Sequence, residues 1–208
     1  MQTKHMAMTV AFAPIFFIGF SITSTLFTSN YDSLSSTMSK LAGPGIRHSW
    51  IFQSGVIGYA LFIQFLIPLL RRQTTKGWLV TSLSPLVVIY GLAGILAAIF
   101  RDGYGTTIFW NLSEDAIHGF MARLSFSAIL ILVFLTPLAF RDQQGWHIWR
   151  RCSLIIGIVT TILVIPFQLE IWPSYLGLIQ RIFFFTTMLW IFITSIRLGY
   201  APSPDLED

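Results

Sequence analysis

Long apolar runs alternate with short polar segments along this chain. Six of these runs reach about the 20 mostly apolar residues that a helix needs to cross the hydrocarbon core of a bilayer, and they lack the apolar/polar alternation of membrane-barrel strands. We therefore predict an all-α integral membrane fold, a bundle of six transmembrane helices that forms a single domain over residues 1–208. The spans are expected at about residues 8–29, 50–70, 78–100, 118–140, 152–169 and 175–197.

The composition supports a membrane protein and excludes several other classes. Hydrophobic residue types make up 54% of the 208 residues and charged types only 11%, whereas a soluble domain has about 25% charged residues because its surface faces water. An ordinary soluble enzyme, a disordered chain and a coiled coil are therefore excluded. The single cysteine, Cys152, excludes an intramolecular disulfide bond. No Ala-x-Ala cleavage pattern follows the first run, so we expect an uncleaved helix there.

The basic residues predict how the bundle is oriented. With six spans, both termini share a side with the loops at residues 71–76 and 141–151, whereas the opposite loops contain only Lys40, Arg47 and Arg101. Because cytoplasmic loops are enriched in Lys and Arg, we expect both termini in the cytoplasm. We also expect a plasma or inner membrane location and no nucleic-acid partner. The basic residues on the predicted cytoplasmic side are Lys4, Arg71, Arg72, Lys76, Arg141, Arg150, Arg151 and Arg197.

The acidic residues gather on the opposite side. Five of the nine acidic residues lie in or beside the loops that we place outside the cell membrane. Topology does not require such a cluster, because acidic residues contribute little to orientation. We therefore expect function on the outer side. The five residues are Asp32, Asp102, Glu114, Asp115 and Glu170.

A histidine at the predicted start of the fourth helix is the candidate acid–base group. His118 lies three and four residues after Asp115 and Glu114, so the three can share one helical face. A carboxylate beside an imidazole fixes its tautomer and raises its basicity, as general acid–base catalysis requires. We predict that Asp32, Asp102 and His118 handle protons. The alternative for Glu114 and Asp115 is a helix cap, because negative charge stabilises the start of a helix.

Two arginines inside predicted spans are candidate binding groups. An arginine within a span is costly, so it usually faces a cavity or a partner. Arg123 and Arg181 both lie within about two turns of the predicted outer boundary. We predict that they pair with outer acids such as Asp102, Glu170 or Asp32 and together hold a phosphate or carboxylate group. The alternative is that their side chains extend to the membrane–water interface.

We predict neither a metal nor a cofactor. His48 and His118 are the histidines on the predicted outer side, and neither belongs to an HExxH or HxxxH motif that would indicate zinc. No glycine-rich phosphate loop precedes a helix.

Several short motifs, taken in order, resemble a known family. They are Tyr31-Asp32, Ser39-Lys40-Leu41-Ala42-Gly43-Pro44, Phe100-Arg101-Asp102, His118, Gly177, Arg181 and Trp190. On these residues the chain resembles the domain-of-unknown-function family numbered 998, small six-span membrane proteins similar in plan to the Frag1/DRAM/Sfk1 group. It departs from the family pattern at Lys40, where an acid is frequent, and at Arg101, where a proline is frequent. The resemblance implies the six-helix fold and gives weight to Ser39, Asp102, His118 and Arg181, but it implies no particular reaction.

The one-sided clustering leads to a function hypothesis. We expect an outward-facing polar pocket that binds a membrane lipid, an isoprenoid or another amphiphilic small molecule. Ser39, Arg123, Glu170 and Arg181 are the expected binding residues. If the protein is an enzyme, we expect acid–base chemistry on this lipid-like molecule within the membrane.

Two alternatives from other classes stay open. The first is a small-solute or proton-coupled transporter, for which Gln53 and Gln64 supply polar groups on one stripe of the second helix. The second is an accessory subunit whose outer loops bind a membrane protein partner, or a homo-oligomer of this chain.

Overall fold

The computed structural model of the protein describes residues 2–74, 77–109, 111–141 and 143–201. Within these residues lie seven α-helices. They are α1 (Gln2–Leu26), α2 (Ser49–Ile63), α3 (Leu66–Gln73), α4 (Gly77–Ile99), α5 (Glu114–Ala139), α6 (His147–Gln168) and α7 (Leu176–Tyr200). Lys76, one of the residues behind the predicted orientation, lies outside the described residues.

The prediction of a six-helix membrane bundle is confirmed. Among the described residues, six helices are long and apolar enough to cross a membrane, and α2 and α3 together make the second of them. Several helices extend beyond the apolar runs; α6, for example, begins at His147, before the charge-free run that starts at Cys152. The six spans are Gln2–Leu26, Ser49–Gln73, Gly77–Ile99, Glu114–Ala139, His147–Gln168 and Pro173–Tyr200.

The second span is interrupted at Gln64 and Phe65, between α2 and α3. Pro68 has no N–H to donate to the Gln64 carbonyl, and its ring would clash with that carbonyl in a regular helix. The Gln64 carbonyl instead accepts a hydrogen bond from Ile67 N at 3.1 Å. The Gln64 side chain stabilises the break, because its Nε2 donates to the Ala60 carbonyl at 3.0 Å.

The six spans form a closed ring. Its order is α1, α2 with α3, α4, α5, α6 and α7, and α7 completes the ring by packing against α1. Helices that follow one another in the chain are therefore neighbours, as is usual for consecutive elements. At the closure, a Cβ on Gly199 of α7 would lie 2.2 Å from the Cβ of Ala7 in α1. The close approach of α1 and α7 therefore requires glycine at this position.

The two ends of the ring differ. At the terminal end both ends of the described chain meet, and Lys4 Nζ lies 5.0 Å from the centroid of the Tyr200 ring. At the opposite end, which we call the loop end, lie the connections at residues 27–48, 100–113 and 169–175. They contain two 3₁₀ helices, Met38–Ala42 and Pro173–Tyr175, and two short antiparallel strands that the sequence pattern does not predict, β1 (Thr107–Phe109) and β2 (Leu112–Ser113).

Aromatic side chains link the helices across the inside of the ring. Phe126 of α5 packs against Phe183 and Phe184 of α7, with ring centroids 4.8 and 5.6 Å apart. Phe184 in turn lies 5.6 Å from Phe17 of α1. Each such contact contributes about 0.5–1.5 kcal/mol beyond the area that it buries. Outward side chains are apolar as well, and Phe185 is 62% exposed, because here the surrounding solvent is lipid.

Candidate functional site

A cavity lies inside the ring, in the half nearer to the loop end. Its volume is about 80 Å³, and its wall comes from the 3₁₀ helix Met38–Ala42 and from α1, α2, α4, α5 and α7. Most of the wall is apolar, and a few polar groups converge on it, which is the usual form of a small-molecule site. The polar or aromatic hydroxyl-bearing residues in the wall are Ser39, Tyr59, Tyr90, His118, Ser125 and Gln180.

His118 lies in the second turn of α5 and contacts the end of α4. Its Nδ1 is 2.7 Å from the Ala97 carbonyl and 2.9 Å from the Phe100 carbonyl. Carbonyl oxygens only accept hydrogen bonds, so Nδ1 carries a proton, and in the neutral ring Nε2 is an acceptor. No hydrogen bond joins Nε2 to the residues that the structure describes. The neutral ring of His118 thus has a fixed tautomer with Nε2 as its acceptor, and the residue lines the cavity.

The same contacts give His118 a structural role. The last four carbonyls of a helix have no partner within it, and the Ala97 carbonyl is one of these in α4. The backbone N–H that would reach it in a longer helix belongs to Arg101, and this N–H donates to Glu114 Oε1 at 2.8 Å instead. The imidazole therefore satisfies a carbonyl that the end of α4 leaves without a helical partner.

Ser39 and Asp102 meet beside the cavity. Ser39 Oγ donates to Asp102 Oδ2 at 2.6 Å, and Thr37 Oγ1 reaches the same oxygen at 3.5 Å. The 3₁₀ helix holds Ser39 in place, because its residues Leu41 and Ala42 are buried in the core. Ser39 and His118 line one cavity, so two of the predicted site residues share a wall, and Asp102 reaches it through Ser39.

Gln180 belongs to the site although the sequence analysis does not select it. It is 5% exposed, and its Oε1 accepts a 2.5 Å hydrogen bond from the backbone N–H of Met38. The bond fixes the first loop to α7 next to the cavity. The available signal is an amide inside an otherwise apolar run, directly before Arg181.

Two tyrosines lie at the deeper end of the cavity. The hydroxyls of Tyr59 in α2 and Tyr90 in α4 are 2.8 Å apart, and both rings are buried. Ser125 Oγ of α5 donates to the Tyr90 carbonyl at 3.0 Å. These bonds join three helices at the floor of the cavity, and tyrosines placed well inside apolar runs are the sequence signal for them.

Glu114 and Asp115 do not pair with His118. Glu114 is buried and accepts from Arg101 twice, from the backbone N–H and from Nε at 3.1 Å. Asp115 Oδ1 accepts from Gly103 N at 2.7 Å. Both acids therefore bind the connection between α4 and α5, next to the Ser113 hydroxyl that caps α5. The side-chain cap of α5 is thus Ser113, and the two carboxylates bind the preceding connection instead of the first N–H groups of the helix.

Arg181 points towards the loop end of α7. Its Nη1 donates to three backbone carbonyls, those of Ser33, Ser36 and Gly177, at 2.7 to 3.1 Å. Its Nη2 donates to the Tyr31 hydroxyl at 2.5 Å. Burial raises the pKa of the Tyr31 phenol, and the Arg181 charge opposes this shift without cancelling it. The phenol is therefore neutral and keeps its own proton to donate to the Thr37 carbonyl at 3.0 Å.

The other predicted residues lie apart from the cavity. Asp32 is exposed and accepts from Ser35 Oγ and Leu34 N within its own turn, bonds that lower the pKa of its carboxyl. Arg123 is on the exposed face of α5, without a hydrogen bond or ion pair to the described residues. Glu170 is exposed after α6, with a φ of 50°. The cavity wall contains none of these three.

The described residues contain no group of three or more His, Cys, Asp or Glu side chains that could hold a metal ion.

The two glutamines considered for transport contact α4 instead of forming a path. Gln53 Nε2 donates to the Ala98 carbonyl at 2.8 Å, and Gln64 Nε2 lies 3.4 Å from the Val87 carbonyl. Each glutamine thus connects the second span to the third.

A family model described as "Protein of unknown function (DUF998)" matches residues 10–197. The chain belongs to the DUF998 family. The match includes Ser39, Asp102, His118 and Arg181, so the predicted resemblance is confirmed over nearly the whole of this DUF998 protein. Comparison with curated proteins and with solved structures finds no match. The fold and the family are therefore shown, and the activity has to be inferred from the site.

Proposed function

We propose that this DUF998 protein binds a lipid, an isoprenoid or another amphiphile, with a polar group of the ligand inside the ring. The observation that supports this proposal is an apolar cavity with the acceptor nitrogen of a fixed imidazole at its wall. A hydroxyl or an acid group of the ligand donates to His118 Nε2. An apolar segment fits the remaining wall, since burial of apolar surface favours binding by about 25 cal/mol per Å².

Acid–base chemistry on the ligand is the finer form of the proposal. A neutral imidazole accepts a proton from a group within hydrogen-bond reach and returns it later. Ser39 Oγ donates its hydrogen bond to Asp102 and lies 3.0 Å from Thr37 Oγ1, which leaves one lone pair of the hydroxyl to accept from the ligand. His118 then acts as the proton acceptor, and Ser39 and Gln180 orient the bound group. Asp102 acts through Ser39 as a positioning residue.

The test compares a variant that fills the cavity with a matched variant that does not. Ala122 of α5 lines the cavity, whereas Ala116 of the same helix is exposed. Native mass spectrometry of the full chain, purified in mild detergent, measures bound amphiphile. We expect a retained amphiphile in the wild type and in Ala116→Leu, and its loss in Ala122→Leu. An equal bound fraction in all three proteins contradicts the proposal.

A single-residue variant then tests the hydrogen bond from the ligand to His118. His118→Asn removes the acceptor Nε2 and keeps an N–H near the position of Nδ1, and His5→Asn is its control because His5 is exposed at the terminal end. If His118 accepts a hydrogen bond from the ligand, His118→Asn raises the Kd about tenfold, the effect of roughly 1.4 kcal/mol. A flux of solute into liposomes that depends on Gln64 would instead support the transporter, and a stable complex with another protein would support the accessory subunit.

A further inference from the structure

A second recess, the lateral groove, lies on the outside of the ring between α1 and α7. Its volume is about 530 Å³. Side chains of its wall face the bilayer, because Ile22 of α1 is 56% exposed and Phe185 of α7 is 62% exposed. The groove and the cavity share Phe17, Met38 and Phe184. These three residues therefore form the partition between the bilayer side and the inside of the ring.

The groove has the length of one membrane leaflet. On α1 it extends from Phe17 to Leu26, which at 1.5 Å per residue is about 13 Å. Half of the hydrocarbon core is about 15 Å. Leu26 and Arg181 lie at the loop end of the groove, and Phe17 lies near the middle of its span. The groove therefore follows the direction and the depth of an acyl chain in the leaflet at the loop end.

The loop end of the groove carries a guanidinium that pairs with no carboxylate among the described residues. Arg181 is in the groove wall, and within the part of the chain that the structure describes its hydrogen bonds go to carbonyls and to Tyr31. Its Nε–H and its second Nη2–H have no partner among these residues. Two such donors match two oxygens of one phosphate. Asp32, whose carboxylate has a weak electrostatic interaction with Arg181, is exposed and is hydrogen bonded within its own turn.

A hydroxyl that has no partner among the described residues lies deeper in the groove. Ser21 of α1 is 7% exposed and lines the groove, and its Oγ has no hydrogen-bond partner among the described residues. Burial of a hydroxyl without a partner is unfavourable, so such a group in a native protein needs an explanation. An ester oxygen near the top of a lipid chain accepts the hydrogen bond that Ser21 otherwise lacks.

We propose that the lateral groove binds an anionic lipid from the leaflet at the loop end, with its phosphate on Arg181 and one acyl chain along α1. The inference rests on the proposed function, because the groove would hold the part of that ligand for which the inner cavity has no room. The inner cavity, at about 80 Å³, holds a functional group or a short chain segment and not a whole amphiphile. The rest of such a ligand must lie outside the ring. The groove adjoins the cavity at Phe184, so it is the place where the remaining chain and the headgroup lie.

The experiment measures headgroup preference. The full chain is placed in nanodiscs of equal parts dioleoyl phosphatidylglycerol and dioleoyl phosphatidylcholine, and native mass spectrometry gives the ratio of the two lipids that stay bound. We expect the wild type to retain the anionic lipid about tenfold over the neutral one, as one charge-assisted pair of hydrogen bonds allows. Arg181→Gln brings the ratio to about one. Arg47→Gln, the control, removes an exposed charge at the same end and leaves the preference unchanged.

Two further measurements identify the occupant. If the acyl chain is required for binding, excess soluble glycerol phosphate leaves the lipid ratio unchanged. If glycerol phosphate displaces the bound lipid, the inference that the groove binds a lipid is wrong. A homodimer that hides the groove would show twice the chain mass, with no bound lipid, and would also overturn the inference. Ser21→Ala, which removes the unpaired hydroxyl, weakens retention of both lipids alike, because an ester is common to both.

The outcomes distinguish this inference from the proposed function. If Arg181→Gln keeps the full preference for the anionic lipid, the lateral-groove inference is wrong, and loss of amphiphile in Ala122→Leu still supports the inner cavity. If Ala122→Leu binds like the wild type while Arg181→Gln loses the preference, the groove binds lipid and the inner site does not. Folding of each variant is checked by its elution as a single species and by its helical circular dichroism.

Discussion

Ser39 and Asp102 are 63 positions apart in the chain, yet the hydroxyl of one donates to the carboxylate of the other at 2.6 Å. This hydrogen bond joins the first loop to the residues that follow α4. It also holds Ser39 in the wall of the cavity that His118 lines. A contact between loops thus determines which polar group a ligand in the cavity meets.

A double-mutant cycle measures this bond. Ser39→Ala and Asp102→Ala are each expected to lower the free energy of unfolding by about 1–3 kcal/mol, because a hydrogen bond to a charged acceptor is lost. The double variant should lose less than the sum of the two, since the same bond is removed only once. Unfolding in mixed detergent micelles gives the energies. Ser127→Ala, on the exposed face of α5, is the control, and strict additivity would falsify a direct bond.

The tautomer of His118 is open to direct measurement. With Nδ1 donating to two carbonyls, ¹⁵N spectra of the labelled protein should show that Nδ1, and not Nε2, carries the proton of the neutral ring. His118→Asn keeps an N–H near the position of Nδ1, so we expect unfolding within about 0.5 kcal/mol of the wild type, whereas His118→Ala costs about 1–3 kcal/mol. Both variants lack the acceptor at Nε2. A spectrum with the proton on Nε2 contradicts the assignment.

Gly177 allows the first loop to approach α7 at Arg181. A Cβ at this position would lie 2.2 Å from the Ser36 carbonyl and 2.7 Å from the Ser33 carbonyl. Gly177→Ala is therefore expected to displace the loop and to lower the free energy of unfolding by about 1–3 kcal/mol. Gly19→Ala is the matched control, because a Cβ there meets nothing within 4 Å and alanine favours the helix. Equal stability of the two variants would contradict the close contact.

We expect the stabilisation that Asp32 gives to the first loop to depend on pH. Hydrogen bonds from Ser35 Oγ and from Leu34 N hold the pKa of its carboxyl below the ordinary value. A lowered pKa means that the folded state favours the ionised form, so the stabilisation is present above the ordinary pKa and is lost as pH falls through the folded pKa. Asp32→Asn removes the charge and keeps an acceptor. The unfolding midpoints of the two proteins should differ at neutral pH and converge in acid; a constant difference would exclude the charge as its cause.

The six spans could be predicted because they depend on local properties. A run such as residues 77–99 is apolar over a bilayer's thickness, and a helix satisfies its own backbone hydrogen bonds within lipid. The interruption of the second span shows the limit of this reasoning. Pro68 is visible in the sequence. The carbonyl that Pro68 deprives of its helical hydrogen bond belongs to Gln64, four residues earlier, and lies well inside the run. The break therefore falls deeper in the span than the position of the proline suggests.

The partners of the charged residues could not be predicted. Spacing places Glu114 and Asp115 on one face with His118, but the carboxylates bind Arg101 and Gly103, and the imidazole binds carbonyls at the end of α4. The donors in the α4–α5 connection and the carbonyls left free by α4 compete for these groups. Such competition depends on where the connection folds back, which no helical periodicity specifies.

The sequence by itself determined the class of the protein and the number of its spans. It also indicated the candidate site residues, among them Ser39, Asp102, His118 and Arg181. These follow from local quantities, namely the apolar length that lipid requires, the cost of a polar group within it, and the recurrence of short motifs in order. Only the tertiary structure decided that Ser39 and His118 share a wall with Gln180, that Arg181 lies in the lateral groove, and that Asp32 does not reach the cavity. The physical reason is that closure of the ring between α1 and α7 brings the first loop onto the end of the last helix.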